Sequence, residues 1–144
     1  MRKKAEININ NIQEALEIIA DGKIGNELAI TTLSRIENIL SHGLSRLAIH
    51  QIVGLTERLV KVAEFHPDAD VCVFALMMGH PMMEKIPLSA TARDGITERL
   101  DALGRNSRDP KVRGAAIAVA QGIEFNFVSD VMRLKYMLKG FSFP

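Results

Sequence analysis

The chain reads as an all-α protein of about seven helices, paired into hairpins within one domain spanning residues 1–144. Three observations predict this. Every segment longer than ten residues follows the helical period, and none sustains the alternation of a strand. Leu, Ile, Ala and Met dominate the apolar fraction while aromatic residues reach only 5%, a balance that favours helix over sheet. Finally, Gly54-Leu55-Thr56-Glu57-Arg58-Leu59 returns 41 residues later as Gly95-Ile96-Thr97-Glu98-Arg99-Leu100.

Taken in order, the first helix is expected over about 10–20, with Ile12, Leu16 and Ile19 (or Ala15) on one face. Asp21–Asn26 holds two glycines and reads as a turn. A second helix covers 27–41, striped by Ile30, Leu33, Ile36 and Leu40, with Gly43 placed for a left-handed cap. The third runs over 44–65 and stops at His66-Pro67-Asp68, because proline disfavours helical geometry at the residue before it. A fourth helix spans 68–79. Pro81 and Pro87 then make His80–Ser89 an irregular connection. The fifth helix covers 90–104 and ends at Gly104. The sixth opens with Asp109-Pro110, a cap followed by proline at the first helical position, and reaches 123. A seventh is expected over 127–138.

The repeat extends beyond its opening hexapeptide. Asp68 aligns with Asp109, Val71 with Val112 and Ala75 with Ala116; in all, 8 of the 31 pairs between 54–84 and 95–125 are identical, several times the chance level. The sixth helix carries a clean stripe of Val112, Ala115, Ala116, Val119, Ala120 and Ile123. Its counterparts are Val71, Phe74, Ala75, Met78, Gly79 and Met82, so both copies present the same face. A period near this length suits stacked helical pairs.

Asp109-Pro110-Lys111-Val112-Arg113-Gly114-Ala115-Ala116 resembles the second helix of a HEAT repeat, which opens Asp-Pro-x-Val-Arg-x-x-Ala. The resemblance covers about 52–125 and implies a short right-handed superhelix of HEAT-like hairpins; a compact helical bundle is the alternative. In that family the Asp caps the helix, the Val and Ala pack inward, and the Arg makes polar contacts between neighbouring repeats. Here those roles would fall to Asp109, Val112, Ala116 and Arg113. The earlier copy keeps Asp68, Val71 and Ala75 but has Ala69 for the proline and Cys72 for the arginine. The domain thus divides into an N-terminal hairpin (10–50), repeats at 52–84 and 93–125, and a C-terminal helix and tail (126–144). Residues 10–50 do not align with the repeat at the same offset. They are either a degenerate copy or a separate cap.

Net charge is +1, which selects no class of partner. The one cysteine, Cys72, permits no internal disulfide, and a reducing compartment suits it. No apolar run reaches the ~18 residues of a membrane span. The basic N-terminus leads into no apolar signal core, and the expectation is a cytoplasmic protein without membrane contact.

The residues of chemistry do not assemble into motifs. His42, His50, His66 and His80 lack the tight pairing of zinc ligands. Cys72 sits among apolar neighbours with no base at motif spacing. Gly22-Lys23-Ile24-Gly25 lacks the spacing of a phosphate loop, and Glu64, Asp68 and Asp70 lack the glycine of a calcium loop. No catalytic residue, metal ligand or cofactor is expected, and the chain does not read as an enzyme.

The strongest functional signal is apolar. The fourth helix, Val71-Cys72-Val73-Phe74-Ala75-Leu76-Met77-Met78, is apolar all round, so it is buried on both sides. A neighbouring helix or a second copy of the chain could cover the extra face. A functional account makes it an inner groove that accepts a protein partner, as in an adaptor or regulator. Val73, Leu76, Met77, Ile117 and Gln121 would line that groove, with Lys111 and Arg113 at its rim. Met77, Met78, Met82 and Met83 would supply the adaptability that thioethers give such surfaces. Nucleic acid is the alternative partner, through Arg93, Arg99, Arg105, Arg108, Lys111 and Arg113. Interleaved Asp94, Glu98, Asp101 and Asp109 argue against it, as does the absence of Trp. An obligate homodimer with no separate groove is the other alternative. Phe141 and Phe143 near the C-terminus either cap the last hairpin or form a docking tail.

Overall fold

The computed structural model describes residues 9–87 and 90–121. Among them are six α-helices and no strand: α1 (Ile9–Ala20), α2 (Asn26–Gly43), α3 (Ile49–Phe65), α4 (Ala69–Lys85), α5 (Thr91–Asn106) and α6 (Pro110–Gln121). The seventh helix expected at 127–138 lies outside the described residues, as do Phe125, Phe127, Phe141 and Phe143.

The helices lie in two rows. α1, α3 and α5 touch in succession, as do α2, α4 and α6, while α3 pairs with α4 and α5 with α6 as antiparallel neighbours. Short turns enforce this pairing. His66–Asp68 separates α3 from α4 and Ser107–Asp109 separates α5 from α6, too few residues to lead anywhere but back alongside. α4 is the central element, packed against α2, α3 and α6. Its sequence is apolar all round for that reason. Val71 through Leu76 are buried without interruption, and Met78, Met82 and Met83 follow. Val73 and Leu76 are only 3% and 1% exposed, which corrects their assignment to a groove: they are core.

The buried stripes share a register. Ile12, Leu16, Ile19 and Ala20 of α1 each lie 40 residues before Ile52, Thr56, Leu59 and Val60 of α3, all buried. Ala29, Leu33, Ile36 and Leu40 of α2 each lie 42 residues before Val71, Ala75, Met78 and Met82 of α4, again all buried. A single offset cannot align this first hairpin, which is why the sequence repeat stops short of it.

The caps match between the second and third hairpins. Asp68 accepts the Val71 amide (3.1 Å) at the start of α4, and Asp109 accepts the Lys111 amide (2.8 Å) at the start of α6. α3 ends at His66 (φ −71°, ψ 136°) and α5 at Ser107 (φ −62°, ψ 141°). The carbonyls of these two residues receive donors 41 positions apart. The Cys72 thiol donates to His66 O (3.2 Å), and Arg113 Nη1 donates to Ser107 O (2.7 Å). Arg113 also reaches the Arg108 carbonyl (3.2 Å), so the contacts it makes here are within its own hairpin. Ion pairs join adjacent hairpins along the first row instead. Glu17 of α1 meets Lys61 (2.6 Å) and Arg58 (3.4 Å) of α3, and Glu64 of α3 takes a two-pronged grip from Arg99 of α5.

Four local expectations are corrected. The helix expected over 44–65 is interrupted: a 3₁₀ turn occupies Leu44–Arg46, Leu47 and Ala48 are extended, and α3 begins at Ile49. There Gln51 reaches back to the Ala48 amide (2.9 Å), half of a capping box. Gly43 does not form a left-handed cap (φ −133°); that conformation belongs to Gly22 (φ 75°) in the α1–α2 turn. α4 does not stop before Pro81 but carries it and runs to Lys85. An internal proline costs about 3 kcal/mol. Continuing the helix buries Met82, Met83 and Ile86, each contributing about 1.5–3 kcal/mol, so burial wins. Gly104 likewise lies inside α5, where a Cβ would come within 2.7 Å of Ile117 Cγ1; it permits close approach of α6 rather than ending the helix.

Two outcomes follow from this packing. Leu76→Ala should lower stability by roughly 2–5 kcal/mol in urea melts, whereas Ile117→Asp, at a side chain 44% exposed, should leave a cooperative fold. The Lys61 hydrogen bond, foremost, holds the Glu17 carboxyl below its usual value of 4.5. Its stabilising effect is therefore present above that value and is lost as pH falls through the lowered folded value. Glu17→Gln should remove that part of the acid sensitivity, no more than about 1 kcal/mol for so exposed a pair.

Candidate functional site

Two clefts open between hairpins. The first, about 560 Å³, lies between α2 and α4. Leu40, Leu44, Met78 and Met82 form its apolar part, with Pro81 beside them. Ser34, Arg35, Glu37, Asn38 and Ser41, on the neighbouring stripe of α2, form its polar edge. Helical geometry creates the contrast: Ile36 and Leu40 turn to the core, and positions 34, 38 and 41 fall on the adjacent strip. Pro81 is solvent-exposed and brings no N–H to the Met77 carbonyl one turn back, which leaves a backbone acceptor without its usual intrahelical donor.

The second cleft, about 710 Å³, lies where the α3–α4 and α5–α6 turns face each other. Glu64 and Arg99 bridge it through Nε–Oε2 (3.2 Å) and Nη2–Oε1 (2.6 Å). That hydrogen bonding with Glu64, foremost, raises the Arg99 pKa. Cys72 lies in its wall. Burial, foremost, with Asp68 and Asp109 nearby, pushes the thiol up to about 11. A thiol in that state, spending its proton on a carbonyl, is no nucleophile at neutral pH. His66 is buried, and both ring nitrogens are engaged. The Asp68 amide donates to Nδ1 (3.0 Å), which places the proton on Nε2, and Nε2 donates to the Ile24 carbonyl (3.0 Å).

The structure does not gather the groove residues expected from sequence. Val73 and Leu76 are interior, Met77 is half-buried, and none of the expected residues lines either cleft. Ile117 lies over Gly104 between α5 and α6, and Gln121 is exposed at the last described position. Lys111 is exposed, 3.9 Å from Asp70, and Arg113 is half-buried on its carbonyls. The α2–α4 cleft was signalled only by the methionine cluster, through Met78 and Met82. Its other wall is an ordinary polar stripe that nothing in the sequence distinguishes from a solvated face.

Of the six basic residues named for nucleic acid, three are engaged in holding the fold. Arg93 donates to the Met83 (2.9 Å) and Ile86 (2.6 Å) carbonyls at the end of α4, Arg99 holds Glu64, and Arg113 holds the α5–α6 turn. Arg105, Arg108 and Lys111 are exposed. His80 is buried with Nε2 3.4 Å from Glu84, while His42 and His50 are exposed. Among the described residues no three His, Cys, Asp or Glu side chains gather to hold a metal ion, and no helix is long and apolar enough to cross a membrane. No family model, curated protein or solved structure matches this chain.

With its pKa at about 11, Cys72 should react with Ellman's reagent at pH 8 at least about 100-fold more slowly than a free thiol of ordinary pKa. Unfolding in denaturant should restore the ordinary rate. The raised value also means that stability is full below the ordinary thiol pKa and declines as pH rises through the folded one.

Proposed function

We propose that this chain is a non-catalytic protein-binding module, an adaptor or regulator, built as a short superhelix of HEAT-like hairpins. The observation that carries the reading is the α2–α4 cleft. Its apolar interior is edged by the hydrogen-bonding side chains Ser34, Asn38 and Ser41 and by the charged Arg35 and Glu37, the combination that receives the apolar face of a partner helix or peptide. Met78 and Met82 give it adaptable walls. Three further features support the superhelix: the two rows of helices, the ion pairs linking successive first helices, and the shared register of buried residues. In such an array the second helices form one continuous surface, and the cleft lies on it. On this reading residues 10–50 are a third, degenerate copy rather than a separate cap.

Nucleic-acid binding by the basic stretch draws less support, because Arg93, Arg99 and Arg113 are committed to carbonyls and to Glu64. The adaptor reading is tested with a photo-crosslinking residue placed at Asn38 or Ser41, and at Lys23 as a control, in extract of the native cell. The expected result is one discrete adduct from the cleft positions, none from the control, and loss of the adduct on Pro81→Glu. Adducts only between copies of the chain would replace the adaptor with a homodimer. Equal labelling from Lys23 would remove the site altogether.

A further inference from the structure

We infer that residues 127–138 of this chain dock on the outer face of the third hairpin, alongside α5, with Arg133 reaching back to Glu98. That face is unfinished among the described residues. Val73, Leu76 and His80 of α4 are buried, while their counterparts 41 positions later, Gly114, Ile117 and Gln121 of α6, are exposed. The two sets hold the same places on their helices. What differs is that α4 carries a following hairpin through α6, and α6 carries none among the described residues. Ile117 is left 44% exposed in consequence. On α5 the same side is acidic. Asp94 and Asp101 are exposed where α3 has the half-buried Val53 and the buried Val60, and Glu98 is exposed beside them.

The polar bonds along the first row show what such a face receives. Glu17, Glu57 and Glu98 hold equivalent positions, 40 and then 41 residues apart. Arg58 of α3 pairs with Glu17 (3.4 Å), and Arg99 of α5 reaches the Glu57 carbonyl (3.4 Å) as well as the Glu64 carboxylate. Each arginine stands directly before a fully buried leucine, Leu59 or Leu100. Glu98 lies where the next such arginine would reach, and Arg133-Leu134 repeats the dipeptide further along the chain. Phe127, Val131, Leu134 and Leu138 recur at the i, i+4, i+7, i+11 spacing of one helix face, an apolar stripe suited to Ile117. Residues 127–139 carry Arg133, Lys135 and Lys139 against the single Asp130, so their charge complements the acidic strip of α5. The tether fits as well. Five residues separate α2 from α3, and five separate α4 from α5; five lie between Gln121 and Phe127. So short a link gives the segment an effective concentration of about millimolar, which favours it over a second copy of the chain. Docked there, it leaves the α2–α4 cleft open, and the inference stands apart from the adaptor reading.

The test is amide hydrogen exchange on the full chain, followed in peptides from 127–139 at low and high protein concentration. These amides should exchange at least about 10-fold more slowly than in an unstructured peptide of the same sequence, equally at both concentrations. Glu98→Arg should remove most of that protection, and combining it with Arg133→Glu should bring it back. Ile117→Asp should also remove it. Glu98 and Ile117 are exposed, so α3 and α4 should keep their own protection in both variants, which separates release of the segment from unfolding. Exchange at the unstructured rate in the unaltered chain would overturn the proposal. Protection that survives both Glu98→Arg and Ile117→Asp would do the same, since the segment would then lie elsewhere. Protection seen only at high concentration would assign the face to a second copy instead.

Discussion

Everything in this fold depends on the burial of α4 from all sides. A helix with three packed neighbours has no polar face to spare, and its sequence concedes none between Val71 and Leu76. The same burial explains details that otherwise look unrelated. It raises the pKa of Cys72, retains Pro81 inside a helix, and removes Val73 and Leu76 from contact with any partner. The neighbouring helices need only one apolar stripe each, and they carry one. α1 and α2 show it as Ile12–Leu16–Ile19 and Leu33–Ile36–Leu40.

Much of this architecture was legible in the residues. The order of the six described helices follows from the apolar period, and the Asp68 and Asp109 caps from their place before the matched valines. What failed to show was set by longer-range packing. Pro81 looked like a stop because the methionines that outweigh it lie beyond it in the chain. Gly104 looked like a cap because its true partner, Ile117, is a helix away. The role of α4 was the costliest ambiguity: a helix apolar all round signals two covered faces without saying whether the chain itself covers both. The α2–α4 cleft was least visible, since serine and asparagine on a helix surface carry no periodic signature of function.

The polar bonds between elements follow a plan that residue identity hides. Cys72 and Arg113 differ in charge, size and chemistry, yet each donates to the carbonyl that closes the preceding helix. What the fold requires at that place is a donor of suitable reach. A sequence comparison that scores thiol against guanidinium sees a mismatch where the geometry has an equivalence. Between the hairpins, by contrast, the first-row helices use carboxylates and cations at similar heights, Glu17 with Lys61 and Arg58, then Glu64 with Arg99.

The offset of 40 residues between α1 and α3 and of 42 between α2 and α4 has its own meaning. The difference of two means that the second hairpin carries two more residues between matched positions: Val60 to Val71 spans eleven steps where Ala20 to Ala29 spans nine, although its turn, His66–Asp68, is the shorter one. The extra length lies at the end of α3, which runs five residues past Val60 to Phe65, whereas α1 stops at Ala20, and a connection so lengthened adds little closure entropy. Length can therefore change where a hairpin reverses while the buried stripes on either side keep their register. The hairpin is thus a unit that tolerates a change of length at its reversal, because the register that counts is the one along each row.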